Sequence, residues 1–153
     1  MRYHKQRDRY TCGPTAIMNA FKWAGHKPPK LAAVIKASGC VKRLGSDHSS
    51  FDKALRDQDI FSVRRVYQPT LGDIKRHINN DGAVILSYAW RYSQFSGRHF
   101  ALIIKGSRYY PFSTINDERD GPALQSFGAS YIRNRHYQFK KDKHRKAWFL
   151  EKI

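Results

Sequence analysis

QRDRYTCGPTAIMNAFKWAG, residues 6–25, starts a helix on a thiol. Cys12 stands where the first turn should begin, Gly13 and Pro14 follow, and an amphipathic run then continues to Gly25. Proline suits a first turn because the N–H it lacks would have had no partner there. Glycine lets another backbone come close. The N–H groups and dipole of a helix N-terminus lower the pKa of a cysteine. These features suit a nucleophile, and by themselves they suit a structural cysteine equally well.

The chain around this stretch has 153 residues, which predicts a single domain over 1–153. A hydrophobic fraction of 41% and an aromatic fraction of 14% belong to a folded globule and exclude a disordered tail. Twenty-nine Lys and Arg against twelve Asp and Glu give a net charge of +17. Such a field draws polyanions and acidic partners and says nothing about fold. The leader MRYHKQRDRY has no apolar segment, so no signal peptide is expected. The runs AVIL (83–86) and FALII (100–104) are too short to span a membrane. A soluble, cytoplasmic protein without a membrane partner is the expectation. Seven histidines are scattered, with no HExxH motif and no Cys/His quartet, and no glycine-rich phosphate loop occurs. No metal and no cofactor are therefore expected. Cys12 and Cys40 form no CxxC pair and suggest no disulfide framework.

Periodicity predicts helices over 12–24, 30–38 and 49–57, the last capped by Ser46 or Asp47 with Phe51, Ala54 and Leu55 on one face. FSVRRVY alternates as a strand, and Thr70 opens a helix to about Asn79. Strands follow at 83–90, 98–105 and near 108–115, with a closing strand at 146–152. Helices dominate the first half and antiparallel strands the second. That segregation predicts an α+β fold, a helical lobe packed on a sheet.

A nucleophilic cysteine needs a base, and the base needs a third group to orient it. His99 opens the apolar strand HFALIIKG, and it reads either as that base or as a hydrated histidine at a strand edge. STINDERD then offers Asn116, Asp117, Glu118 and Asp120.

Taken in order, these blocks resemble the bacteriocin-processing cysteine peptidases, papain-like enzymes with stand-alone relatives. Gln6 stands six residues before the Cys12–Gly13 pair, Pro14 and the helix closed by Gly25 follow, HFALIIKG matches the histidine block, and INDE matches the acidic block loosely. The resemblance spans residues 6 to 120. It departs where the family has Asp-Pro and this chain has Asp-Glu, and the inserted YYPFST leaves the third member open between Asp117 and Asn116. The basic tail is not a family feature.

The resemblance implies a papain-like fold and a cysteine peptidase acting on a peptide or isopeptide bond. Cys12 is then the nucleophile, His99 the base, Asp117 or Asn116 the orienting group, and the Gln6 amide with the Cys12 N–H the oxyanion donors. Lys5, Arg7, Arg9, Lys22 and Lys27 are expected near the thiol, where they would favour the thiolate. Cys40 reads as core or as a slow surface thiol. The substrate is a peptide or protein, an acidic one suiting the charge. Two other readings stand beside this one. A thiol-dependent acyltransferase or deamidase would keep the nucleophile. A non-enzymatic nucleic-acid-binding protein on the same fold would use 133–146, where seven Lys or Arg face one Asp and Tyr137 and Phe139 are interleaved.

Overall fold

A computed structural model describes residues 2–6, 10–40, 47–89, 98–115, 123–128, 130–132 and 146–153. The helices are α1 (Cys12–Trp23), α2 (Leu31–Ala37), α3 (His48–Arg56) and α4 (Leu71–Asn79). Each stops or starts on the expected signal. Gly25, at φ +83°, follows the end of α1, and Gly39, at φ +63°, follows α2. Gly39 also has no room for a side chain, since a Cβ there would meet the Ser50 side chain of α3 at 2.8 Å. The Asp47 carboxylate caps α3 by accepting from the Ser50 N–H. Thr70 and Asp73 form a reciprocal capping box on α4.

The strands are β1 (Phe61–Tyr67), β2 (Ala83–Ala89), β3 (Arg98–Lys105), β4 (Phe112–Ile115), β5 (Leu124–Phe127) and β6 (Lys146–Lys152). They form a six-stranded sheet in the order β1-β6-β2-β3-β4-β5, and every neighbouring pair is antiparallel. The α+β class expected from the sequence is the observed one. Three details differ. The run near 108–115 yields a strand only from Phe112, because Gly106–Pro111 is spent on the hairpin turn. Strand β5 was not expected: it is short, and Leu124 and Ser126 lie exposed, so its alternation carries little apolar signal. Strand β6 does not close the sheet but lies between β1 and β2, pairing Leu150 with Val63 on one side and with Ala83 on the other. Ala147, Trp148, Phe149 and Leu150 are all buried, as a strand covered on both faces requires.

The helices also divide between the two faces of the sheet. Phe61, Ile85, Leu102, Trp148 and Leu150 pack in one core with α1, α2 and α3. Val84, Leu86, Ala101, Ile103 and Phe149 pack in a second core with Ile74 and Ile78 of α4. The period-2 alternation of strand side chains makes this division. His77 ties α4 to the sheet through its Nε2, 2.8 Å from the Leu150 carbonyl. Among the described residues no helix is long and apolar enough to cross a membrane.

Under α3, Phe51 stacks on Phe100 at 4.4 Å and meets Trp148 edge-on at 4.7 Å. Beside them the buried Trp148 indole donates to Asp52 at 2.9 Å, and Arg56 Nε donates to the same carboxylate at 2.7 Å. Burial works to raise the Asp52 pKa, but the hydrogen bonds from Arg56 and Trp148 outweigh it and hold the carboxyl below its ordinary range. Asp52→Ala leaves the indole N–H buried without its acceptor, at a cost of about 1–3 kcal/mol. Urea unfolding at pH 7 measures that loss. Because the folded pKa is depressed, the contribution is present above the ordinary value of 3.8 and is lost as pH falls through the folded value. The gap between wild type and Asp52→Ala therefore narrows on acidification, because a protonated carboxyl keeps an acceptor for the indole but loses its attraction to Arg56.

Candidate active site

Helix α1 begins at Cys12, with Thr11 in the N-cap position. Its buried residues include Ala16, Ile17, Ala20 and Phe21, which anchor it on the sheet. That packing presses the first turn against the start of β3. The backbone N–H groups of Phe100, Gly13 and Cys12 itself are directed at the Cys12 sulfur. Phe100 is the residue after His99, so the thiol lies at the entrance of the strand that carries the expected base.

The electrostatics differ from expectation. Cys12 is only 4% exposed. Burial pushes its thiol up to about 11, the three N–H groups pull it down less than burial raises it, and a negative charge on Cys40 would raise it further. The helix N-terminus acts in the expected direction and loses to desolvation. Part of the expected basic cluster is also elsewhere. Lys22 lies in the last turn of α1, where its ammonium donates to the Arg2 carbonyl, and Lys27 follows the helix end. Arg7 and Arg9 lie outside the described residues.

The other expected residues fall as follows. Gln6 is buried, 5% exposed. His99 is fully buried and pairs with Tyr88 in the β2–β3 ladder. Strand β4 ends at Ile115, and both candidates for the third member, Asp117 and Asn116, lie outside the described residues. Cys40 is core, its Sγ donating to the Tyr10 carbonyl at 3.2 Å. The basic run 133–146 lies outside the described residues except for Lys146, which opens β6. Among the described residues no cluster of His, Cys, Asp and Glu could hold a metal ion.

Sequence reasoning passed over Asn19. It is fully buried in α1 and bonds both backbone groups of His4: the His4 N–H donates to Oδ1 at 2.7 Å, and Nδ2 donates to the His4 carbonyl at 3.0 Å. The signal was present as a lone amide inside the apolar run AIMNAF.

The chain superposes on the peptidase domain of Streptococcus ComA, a bifunctional ABC transporter of a quorum-sensing pathway, with a TM-score of 0.66 and 14% identity over 99% of this chain and 98% of that one. It also superposes on a double-glycine-motif protease from an AMS/PCAT transporter, solved with its leader peptide, with a TM-score of 0.60 and 14% identity over 99% of this chain and 91% of that one. The fold is that of a papain-like peptidase domain. No protein-family model matches the sequence, and no curated protein matches it.

The high thiol pKa has a direct consequence. Alkylation needs the thiolate, so the rate of Cys12 labelling by iodoacetamide should climb about tenfold per pH unit from pH 7 and level off only near 11. Mass spectrometry of the labelled peptide over that range measures the rate. A plateau already present at pH 7 would mean a thiolate stabilised by an ion pair.

Proposed function

We propose that the chain is a cysteine peptidase that hydrolyses a peptide or isopeptide bond through a thioester on Cys12. The observation that carries this reading is the seating of the Cys12 sulfur against the Phe100 N–H, next to His99. The papain-like peptidase fold supports it.

In this reading His99 accepts the thiol proton during attack, or holds it already as an ion pair. The sulfur adds to the carbonyl carbon as its proton passes to the imidazole. The oxyanion forms where the Cys12 N–H and the Gln6 side-chain amide donate to it. Collapse of the tetrahedral adduct breaks the carbon–nitrogen bond, and His99 returns the proton to the departing amine. Water then attacks the thioester, giving its proton to His99, and the acid leaves with the thiol restored. Asp117, or Asn116 in its place, accepts from the second ring nitrogen and fixes the tautomer. The substrate is a peptide, and a double-glycine leader such as the neighbouring protease takes is the first to try.

A peptide library read by mass spectrometry tests this. Wild type should cleave a subset of the library, Cys12→Ala and His99→Ala should leave it intact, and Gln6→Ala should cleave about 100–1,000-fold more slowly. Identical products from wild type and Cys12→Ala would overturn the reading. Release of ammonia, or adduct formation without chain cleavage, would instead indicate the deamidase or acyltransferase chemistry.

One observation favours a second reading, binding of single-stranded nucleic acid. At the β1 end of the sheet Tyr67 is 56% exposed, with the Arg65 guanidinium and the Lys146 ammonium each 5.3 Å from its ring centroid. An exposed aromatic with flanking cations is the local chemistry of base stacking and phosphate contact. If this reading holds, oligonucleotide affinity falls steeply with salt, weakens in Tyr67→Ala, and survives alkylation of Cys12. Fluorescence anisotropy at several salt concentrations measures all three.

A further inference from the structure

We infer that Asn19 is a positioning residue for the oxyanion site, holding the N-terminal segment so that the Gln6 amide meets the developing charge. The inference rests on the peptidase reading above.

Asn19 is a poor choice for its local surroundings. Asparagine lowers helix stability relative to alanine by roughly half a kcal/mol. A buried amide also costs free energy unless it is hydrogen-bonded. Asn19 lies in the interior of α1 with no exposed surface. Neither the helix nor the apolar core calls for it. What the side chain does is specific: its oxygen accepts from the His4 N–H and its nitrogen donates to the His4 carbonyl, at 2.7 and 3.0 Å. A single side chain thereby fixes both polar groups of one residue, as a paired strand would.

The register of this clasp leads to Gln6. Lys22 reaches the Arg2 carbonyl, and Asn19 holds His4. From the first pair to the second, the N-terminal segment advances two residues while α1 runs back three. One more such step would bring Gln6 toward Ala16, which lies one turn beyond Cys12 on the same helix face. Ala16 is 1% exposed and offers only a methyl group. Gln6 is itself 5% exposed, so its amide is held in the interior rather than in solvent. With His4 released, the segment that carries Gln6 would lose the hold that Asn19 gives it two residues away. A misplacement of about an ångström can cost on the order of 100-fold in rate.

The experiment compares two reagents at Cys12. Iodoacetamide reacts by displacement and forms no oxyanion, whereas a tripeptide aldehyde adds to the sulfur and forms one. Inhibition constants for a panel of tripeptide aldehydes, alkylation rates and melting temperatures are measured for wild type, Gln6→Ala, Asn19→Leu, Asn19→Asp and the Gln6→Ala/Asn19→Leu double variant. Asn19→Leu preserves volume and removes both bonds. Asn19→Asp retains the acceptor for the His4 N–H and gives up the donor to its carbonyl, which serves if Asn19→Leu does not fold.

The expected result is that Asn19→Leu weakens aldehyde binding by about 10–100-fold, part of the loss typical of a missing oxyanion donor. Asn19→Asp should fall between it and wild type, alkylation should stay within about twofold, and the double variant should be no weaker than Gln6→Ala alone, as two changes acting through one group are not additive. On the peptide that the library selects, the loss should appear in kcat and not in KM. A lower melting temperature with unchanged aldehyde binding per folded molecule, or additive losses in the double variant, would overturn the inference while leaving the peptidase reading intact. If wild type binds no aldehyde of the panel, or Cys12→Ala still cleaves, the peptidase reading itself falls and the inference with it.

Discussion

The first turn of α1 is seated on the start of β3, and the site depends on that single contact. It brings the Phe100 N–H to the Cys12 sulfur and sets Cys12 beside the His99 peptide. It also takes the sulfur out of water. Two influences on the thiol then compete, the N–H groups of the helix mouth favouring the thiolate and desolvation opposing it. Desolvation wins, and the pKa stands at about 11. His99, at the head of the adjoining strand, is buried with it.

The same contact depends on parts of the chain far from it in sequence. Strand β3 is held in the middle of the sheet by β2 and β4. Strand β2 pairs in turn with β6, the last element of the chain, and β1 joins the sheet only through β6. The buried Trp148 of β6 then binds α3 through Asp52. The helix that carries the thiol therefore rests on a sheet whose centre is completed by β6. The opposite face of the sheet has a separate duty. Helix α4 covers it, anchored by His77 on the Leu150 carbonyl and by Ile74 and Ile78, and keeps the central strands dry on both sides.

Much of this was legible in the residues. Each helix carried its own start or stop: Thr70 with Asp73, Asp47 before His48, Gly25 and Gly39 at positive φ. These signals work within a few residues, so a linear sequence displays them. The residues Cys12, Gly13 and Pro14 marked the helix mouth in the same way. Strand β5 stayed hidden because its side chains alternate between partly and fully exposed, leaving no apolar stripe. The place of β6 stayed hidden because AWFL shows that a strand is buried but not which strands flank it. Asn19 was visible as a misplaced amide, yet its partner, His4, lies fifteen residues away and only folding brings the two together.

By itself, then, the sequence determined the helices, the strands other than β5, the class of fold and the order in which Gln, Cys and His occur, because these follow from local backbone preferences and the spacing of apolar side chains. Only the tertiary structure decided which strands are neighbours, which face of the sheet each helix covers, and how far Cys12 is taken out of water. Those depend on how completely distant segments exclude water from one another, and burial is the largest influence on the Cys12 thiol.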